Sequence, residues 1–319
     1  MARGVGRLMS SSHTHSLTAN RQGRATSTVV EQQFLEEMRR RWERVRGLVR
    51  RTVGYQNDAF GLRANADERE SFDFPTDRGK IRGFVRWLRQ ALRDEVLEPM
   101  PSEDVRDGKH WTAAYIRSAV VRGVNQSTGL LLQQGASVEN IPDGEIVTRP
   151  IFSKTLEKAY TRTYEDLKSI AEDDADDVRE TLTEGLAKGW NPKKMARQLT
   201  GEVRDLQRTR AETLARSETI EAHSDATLRN YERAGVDVVG HGEWQATPDF
   251  SCPFCRRLSG TELTLEEMRN GAVEWRGKVY RLKPPAHPNG TCVVLPSVGG
   301  SPPTSPLAER VPGTVLSGA

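Results

Sequence analysis

The sequence predicts an α+β protein in which a mainly α-helical body is followed by a small β-rich, zinc-stapled C-terminal module. Three observations support this class. Apolar residues recur at helical spacing over most of the chain before residue 235, and short β-branched runs between Gly and Pro turns replace them afterwards. All three cysteines fall within 41 residues, 252–292, which is where a small module would need a metal.

Composition permits one or two domains in 319 residues and favours wide solvated helix faces, because 36% of residues are hydrophobic and 29% are charged. The net charge is only +3, but it is unevenly placed: residues 1–51 carry 11 arginines against four acidic residues, a local excess of +7. Such a basic arm can contact nucleic acid or an acidic protein surface. An ordinary charged helix face beside a tail explains it equally well.

The N-terminal region is predicted to hold a disordered arm and three helices. Residues 1–28 are rich in Ser, Thr, Arg and Gly, which is typical of disorder. Apolar stripes then predict helices over 34–50, 81–97 and 111–134, within a helical region at 29–135. The stripe of the first helix consists of Leu35, Met38, Trp42, Val45 and Leu48 or Val49.

A second helical region is predicted over 150–235. Its expected helices cover 152–170, 176–188, 192–199 and about 203–234. Gly189 ends one helix, Asn191 can cap the next and Pro192 suits its first turn. Gly235 then ends the last helix.

The region 236–296 is predicted to be a small β-rich metal module. Expected strands are 236–239, 243–246, 276–282 and 292–295, and a short helix begins at Thr264 with Glu267 completing a capping box. About 60 residues cannot bury a generous core, so a metal would be a reasonable staple. The Pro-, Gly- and Ser-rich tail at 297–319 is expected to be unstructured.

The cysteines define a candidate zinc site. Cys252 and Cys255 form a Cys-x-x-Cys turn that can place two thiolates on one ion, and His287 with Cys292 can complete a tetrahedral Cys₃His site. An odd cysteine count without a secretory signal indicates a reducing compartment, which favours metal over disulfide. A Cys252–Cys255 disulfide and plain buried thiols remain alternatives. No run of 18 apolar residues predicts a membrane span.

Four successive segments carry a resemblance. They are Leu182–Leu199 around a glycine turn, Ala215-Arg-Ser-Glu-Thr-Ile-Glu-Ala222, Glu243-Trp-Gln-Ala-Thr-Pro-Asp249 followed by Cys252-Pro-Phe-Cys255, and Pro284-Pro-Ala-His-Pro-Asn289 before Cys292. In this order they resemble the phage head-morphogenesis, or minor head protein, family typified by the F protein of phage Mu. The resemblance covers roughly 150–296, and the preceding residues carry no motif of the family.

One departure from the family affects the metal site. Family members commonly end in His-Pro-Asn-Cys-Arg-Cys, whereas Gly290 and Thr291 stand here in place of the first Cys and the Arg. Cys292 keeps the position of the second cysteine, so His287 becomes the natural fourth ligand. If His287 only packs, Asp249 or water would have to serve.

The resemblance implies a non-enzymatic minor capsid protein of a tailed virus, associated with the portal vertex and assisting procapsid assembly and DNA packaging or ejection. It implies portal, capsid and scaffold proteins as partners, and a location in the procapsid or virion and, during assembly, in the host cytoplasm. We expect residues 30–135 to dock on the portal or capsid and 150–296 to fold autonomously. The arm within 1–51 is expected to contact DNA without sequence preference.

Two other functions are weighed against this one. A free-standing nucleic-acid-binding zinc protein is supported mainly by the basic arm. An HNH-like nuclease is suggested by His287-Pro-Asn289, but such an enzyme needs one histidine to activate water and others to bind its metal. His287 is the only histidine after His241, and the proposed zinc site already uses it.

Several other residues have structural explanations. Arg216 and Glu218 are expected to form an ion network on their helix. His223, Ser224 and Asp225 are adjacent on a helix, so they point in different directions and cannot form a catalytic relay by themselves. We expect His241 to lie solvated in a turn and Trp244 to pack in the core of the β module.

Overall fold

The computed structural model describes residues 12–54, 77–235, 237–247 and 252–316. The chain divides into two compact units. The helical unit comprises Glu31–Ile116 and Glu157–Glu218, and the mixed unit comprises Met1–Val30, Arg117–Leu156 and Thr219–Ala319. This grouping does not coincide with the predicted divisions at 135, 150 and 235, since residues 117–156 belong with the C-terminal part of the chain.

The helices are α1 (Ser12–Val53), α2 (Asp77–Leu92), α3 (Ser102–Arg106), α4 (Ala113–Gln133), α5 (Asp143–Ile146), α6 (Pro150–Ala187), α7 (Pro192–Leu206), α8 (Glu212–Ala234), α9 (Pro253–Leu258), α10 (Leu265–Asn270) and α11 (Leu307–Arg310). Among the described residues, four helices are longer than 20 residues: α1, α4, α6 and α8. π-Helical turns at Arg93–Leu97 and Gln207–Ala211 continue α2 and join α7 to α8. The strands are β1 (Val239–Gln245), β2 (Glu262–Thr264), β3 (Ala272–Trp275), β4 (Lys278–Arg281), β5 (Val293–Val298) and β6 (Thr314–Leu316).

The apolar stripe of α1 lies in the core of the helical unit, as its spacing predicts. Its fully buried members are Phe34, Met38, Trp42, Val45 and Val49. Phe34, four residues before Met38, takes the place that we expected for Leu35. Helix α1 begins at Ser12, so it includes residues 12–28, which we expected to be disordered; residues 1–11 lie outside the described residues.

The helices of 150–234 are longer than predicted. A single helix, α6, replaces the two expected at 152–170 and 176–188, because Ala171 and Ala175 continue its buried face through the acidic stretch. The break at Gly189 is present, with a φ of +61°. The Oδ1 atom of Asn191 caps α7 by accepting the backbone N–H of Lys194 at 2.9 Å. The gap expected between 199 and 203 is absent.

The strands of the mixed unit form two three-stranded antiparallel sheets, in the orders β2-β1-β5 and β4-β3-β6. Strand β1 is one strand where we expected two, and Trp244 pairs with Val294 across β1 and β5. Strands β2 and β3 and helix α9 were not predicted. Helix α10 has the predicted capping box, in which Thr264 and Glu267 each accept a backbone N–H from the other.

Helices complete the core of these sheets. Leu131 of α4 and Leu228 and Tyr231 of α8 are buried in the same apolar cluster as Trp244. The side chain of Gln134 also donates to the carbonyl of Pro296 at 2.9 Å and accepts the N–H of Val298 at 3.1 Å. The β-rich module is therefore not an isolated 60-residue fold, and residues before 150 belong to it.

Helices α4 and α8 approach each other closely within the mixed unit. A Cβ atom at Gly123 would lie 2.4 Å from the carbonyl oxygen of His223, so glycine is required there. The amide of Asn230 donates to the hydroxyls of Ser127 at 2.8 Å and Thr128 at 3.0 Å. Gly123 thus allows the two helices to pack closely.

The tail is structured over much of its described length, contrary to expectation. Strand β6 pairs with β3, placing Val315 opposite Val273. Arg310 of α11 donates to the carbonyl oxygen of Glu262 at 2.6 Å and to the carboxylate of Glu267. The Pro-, Gly- and Ser-rich composition of the tail gave no indication of the short strand β6. Across the described ranges, no helix combines the length and the apolar character needed to cross a membrane.

Candidate metal centre

The Cys-x-x-Cys turn lies at the start of α9. Cys252 is the N-cap residue, Pro253 follows it in the first turn, and the sulfur of Cys252 accepts the backbone N–H of Cys255 at 3.3 Å. Proline suits this position because its fixed φ is already helical and the missing N–H has no helical partner. The local sequence therefore folds both sulfur atoms toward the same side of the turn.

His287 approaches this turn from the loop between β4 and β5. Its Nε2 atom lies 3.5 Å from the sulfur of Cys255, and its Nδ1 atom lies 2.7 Å from the carbonyl oxygen of Pro288. A carbonyl can only accept, so Nδ1 carries the proton and Nε2 presents its lone pair to the cysteines. Metal-bound histidines use the same device, in which a backbone carbonyl fixes the tautomer and the ring orientation.

The donor set and its spacing fit a zinc ion. The ligand atoms of Cys252, Cys255 and His287 all lie within 4.8 Å of one another. In a tetrahedral site with usual zinc bond lengths, a sulfur and a nitrogen are about 3.6 Å apart. The observed 3.5 Å between Cys255 and His287 agrees with that value. The cluster could hold a metal ion.

Cys292 lies beside this group without being a full member of it. The residue precedes β5, is buried, and its thiol shares a hydrogen bond with that of Cys255. It is not part of the group whose ligand atoms all lie within 4.8 Å. The structure thus brings three of the four predicted ligands together and places the fourth against one of them. The alternative ligand Asp249 lies outside the described residues.

The protonation of the cluster depends on these contacts. The hydrogen bond with Cys292, followed by burial, raises the pKa of Cys255, and burial raises the pKa of Cys252. The hydrogen bond with Cys255 raises the pKa of His287. Without a cation the two thiols therefore stay protonated at neutral pH. A metal ion would displace those protons, since thiolate is the binding form.

Aromatic side chains enclose one side of the cluster, and sequence reasoning missed them. Phe254, between the two cysteines of the turn, stacks on Tyr280 with ring centroids 4.1 Å apart. Tyr280 in turn meets His287 edge to face at 5.9 Å. The available signal was the Phe inside the Cys-x-x-Cys run, because a large apolar residue there must pack close to the ligands.

Arg216 and Glu218 of the Arg-Ser-Glu run in α8 both form ion pairs. Arg216 donates to Glu31 at 2.8 Å. Glu218 is buried and accepts from the Thr163 hydroxyl at 2.6 Å and from Arg162 at 3.1 Å. Both residues therefore take part in ion pairs, as expected, but these partners lie on α1 and α6 rather than on α8 itself.

His223 and Asp225 of α8, which belong to residue types found in catalytic triads, contact separate partners. His223 lies 2.8 Å from the amide oxygen of Gln126, while Asp225 pairs with Lys283 at 2.5 Å. They form no relay with each other. Trp244 is fully buried in the core, as predicted. His241 is also buried, in β1 with Glu262 at 3.7 Å, so the solvated position that we expected for it is wrong.

The fold and the site together define a helical protein with a small β-sheet region that carries a Cys/His cluster able to hold a metal. The model of the family described as Phage Mu protein F like protein matches residues 176–295, which include all four predicted ligands. Over this region the chain matches that family, which confirms the resemblance stated above. No curated protein and no solved structure matches the chain.

Proposed function

We propose that this chain is a minor head protein that acts at the portal vertex, without catalysis, during assembly of a viral head and packaging or ejection of its DNA. The family match over 176–295 carries the proposal, because it spans α7, α8 and the whole Cys/His region in the expected order. Capsid, scaffold and portal proteins are its proposed partners. Its proposed location is the procapsid or virion and, during assembly, the host cytoplasm.

A non-catalytic role is supported by the surroundings of the histidines. Of those whose side chains are described, His110, His223 and His241 are buried, and His287 faces the cysteines. In this described part, no second histidine joins the cluster of His287. An HNH-like nuclease would need one to bind its catalytic metal while another activates water.

We propose that the Cys/His cluster binds one structural zinc ion through Cys252, Cys255, His287 and Cys292. A movement of Cys292 toward the other three would complete four-coordination, which structural zinc sites require. Zinc would supply a fixed link between the turn at α9 and the loop before β5. The aromatic packing of Phe254 and Tyr280 would then shield the link from water.

The arginines of α1 give little support to the nucleic-acid alternative. Arg39, Arg41 and Arg44 pair with Glu212, Glu98 and Glu95 at 2.6 to 2.8 Å, so the charge of these three arginines is neutralised within the chain. Residues 1–11 lie outside the described residues. DNA contact by the arm stays a prediction, and a chain lacking residues 1–51 should then bind DNA less tightly than the full chain.

Co-expression with the portal, scaffold and major capsid proteins of the same genome tests the assembly role. We expect the full chain to sediment with procapsids and to be recovered with the portal when the portal is purified alone. Heads assembled without the chain should be fewer or should package less DNA. If the chain remains in the soluble fraction and its absence changes neither head yield nor DNA content, the proposed function is wrong.

A further inference from the structure

A groove of about 720 Å³ lies between α2 and α6 within the helical unit. Its two walls differ in charge. The α2 wall carries Arg82, Arg86, Arg89 and Arg93, all of which are exposed. Successive spacings of four, three and four residues place these side chains on one face over three helical turns. The wall is therefore a continuous basic row.

The arginines of this row differ from those of α1 in their partners. Arg89 pairs with Asp176 across the groove at 2.9 Å, in an exposed position where such a pair contributes little. Arg82, Arg86 and Arg93 make no ion pair with any of the described residues. Three guanidinium groups thus stand at one groove with their charge available to a ligand.

The floor of the groove is apolar. It includes the buried side chains of Val85, Leu97 and Ala171 and the half-buried Ile81 and Met100. The α6 wall adds Lys168 and Arg179 near its two ends and Glu172 and Asp176 between them. The lining therefore holds six basic and two acidic side chains and is positive overall.

We propose that this groove binds an amphipathic helix of a partner protein that carries carboxylates along one side and apolar residues along the other. An apolar floor beside a charged row suits such a helix, whose two faces recur with the same three- and four-residue spacing as the arginines. Charge complementarity would fix its direction and register. A phosphodiester backbone would use the arginines but gain nothing from the floor.

This inference does not depend on the assembly role, although it offers one surface through which such a role could operate. It also moves the expected docking surface. We expected residues 30–135 as a whole to dock; the groove uses α2 from that range together with α6, which lies outside it. The other arginine-rich helix, α1, is a weaker candidate because its Arg39, Arg41 and Arg44 are paired within the chain.

Fluorescence anisotropy with the full chain and a labelled 18-residue helical peptide tests the proposal. The peptide repeats glutamate on one face and leucine on the other; a second peptide has lysine in place of glutamate, and a third probe is a 20-base-pair DNA duplex. The groove variant is Arg82→Glu, Arg86→Glu, Arg93→Glu. The matched control is Arg50→Glu, Arg51→Glu, Arg197→Glu, three exposed helical arginines of the same unit that do not line the groove.

We expect the groove variant to weaken binding of the acidic peptide by about tenfold or more, because three attractive charge pairs are lost and the reversed charges add repulsion. The control variant should change it less than about threefold. Ile81→Ser with Met100→Ser should weaken binding while leaving every arginine in place. The lysine peptide should bind no better to wild type than to the groove variant.

Three results would overturn the proposal. The first is an equal loss in the groove and control variants, which would mean that general positive charge explains the binding. The second is tighter binding of the duplex than of the acidic peptide, with the Ile81/Met100 variant unaffected, which would assign the groove to nucleic acid. The third is no measurable binding of the acidic peptide at low salt by a wild-type chain that is folded by circular dichroism.

Discussion

The helical unit and the mixed unit bury polar groups in different ways. In the helical unit, Trp42 is fully buried and its indole N–H donates to Asp174 at 3.0 Å, which also accepts from Arg210 at 2.6 Å. In the mixed unit, Trp244 is equally buried, but its indole N–H has no partner among the described residues. Long helices are expected to hold together by packing alone, whereas short strands are not.

The lengths of the helices and strands in the two units indicate which unit a metal ion would stabilise. Strands of the mixed unit are three to seven residues long. The candidate ligands come from two separate segments among them: Cys252 and Cys255 from the start of α9, and His287 from the loop before β5. The helical unit has no such cluster within its described residues. A metal link would thus stabilise the unit whose elements are shortest.

The largest expected effect comes from removing one ligand. Cys255→Ser should destabilise the mixed unit by more than about 3 kcal/mol, because metal binding at a structural site contributes directly to folding. Hydrogen exchange should show faster exchange of amides in β1 and β5. In the helical unit, amides of α1 and α2 should change much less.

A chelator provides the control for this substitution. If the metal is the cause, wild type in excess EDTA should become as unstable as the variant, and the variant should be insensitive to EDTA. An equal loss of stability by the variant in the presence and absence of EDTA, with no effect of EDTA on wild type, would mean that the thiol acts by packing alone.

A smaller effect concerns the pH dependence of the mixed unit. Burial, with a smaller contribution from Arg122, lowers the pKa of His223 from 6.5 to about 4. The folded state therefore favours neutral histidine, and the stability that this provides is complete above pH 6.5 and is lost as the pH falls toward 4. By linkage the loss is about 2 kcal/mol at pH 5.

His223→Gln should remove most of this dependence. Denaturant midpoints measured between pH 8 and 5 should fall for wild type and stay nearly level for the variant, apart from the slope due to other groups. A variant whose midpoint falls as steeply as that of wild type would show that His223 is not the group that loses stability in acid.

The smallest expected effect is the difference in lost stability between substitutions of the two buried tryptophans, Trp42 and Trp244. Both substitutions, Trp42→Phe and Trp244→Phe, remove similar volume from a core. Trp42→Phe also leaves the buried carboxylate of Asp174 without one donor, so it should cost about 1 to 2 kcal/mol more. Equal losses, measured by denaturant unfolding at unchanged m-value, would mean that the indole hydrogen bond of Trp42 contributes nothing to the difference between the units.

The sequence was sufficient for elements with strong local signals. The stripe of α1, the cap at Asn191 and the capping box at Thr264 each depend on residues within a few positions, and the structure has all three. The break expected in α6 was wrong because Ala171 and Ala175 continue its buried face, and the gap expected between 199 and 203 was wrong because α7 continues through it to Leu206. Intrinsic helix propensities give little indication that a helix continues through polar stretches.

The pairing of strands that are distant in the chain could not be predicted from the sequence. Strands β2, β3 and β6 have three or four residues each, which is too short for a clear sequence pattern. The apolar cluster of these sheets also includes Leu131, Leu228 and Tyr231, which are distant in the chain. The metal ligands were predicted from spacing alone, because zinc chemistry needs few residue types at characteristic intervals. The position of Cys292 relative to the other three could not be obtained from spacing.

Metal content and X-ray absorption at the zinc edge test the central claim most directly. Full chain purified without chelator should contain about one zinc per molecule, with zinc–sulfur distances near 2.3 Å and zinc–nitrogen distances near 2.0 Å. Three sulfur atoms and one nitrogen would show that Cys252, Cys255, Cys292 and His287 all bind. Less than about a tenth of an equivalent of any transition metal, after purification in zinc-supplemented medium, would contradict the account, since a structural site binds zinc tightly.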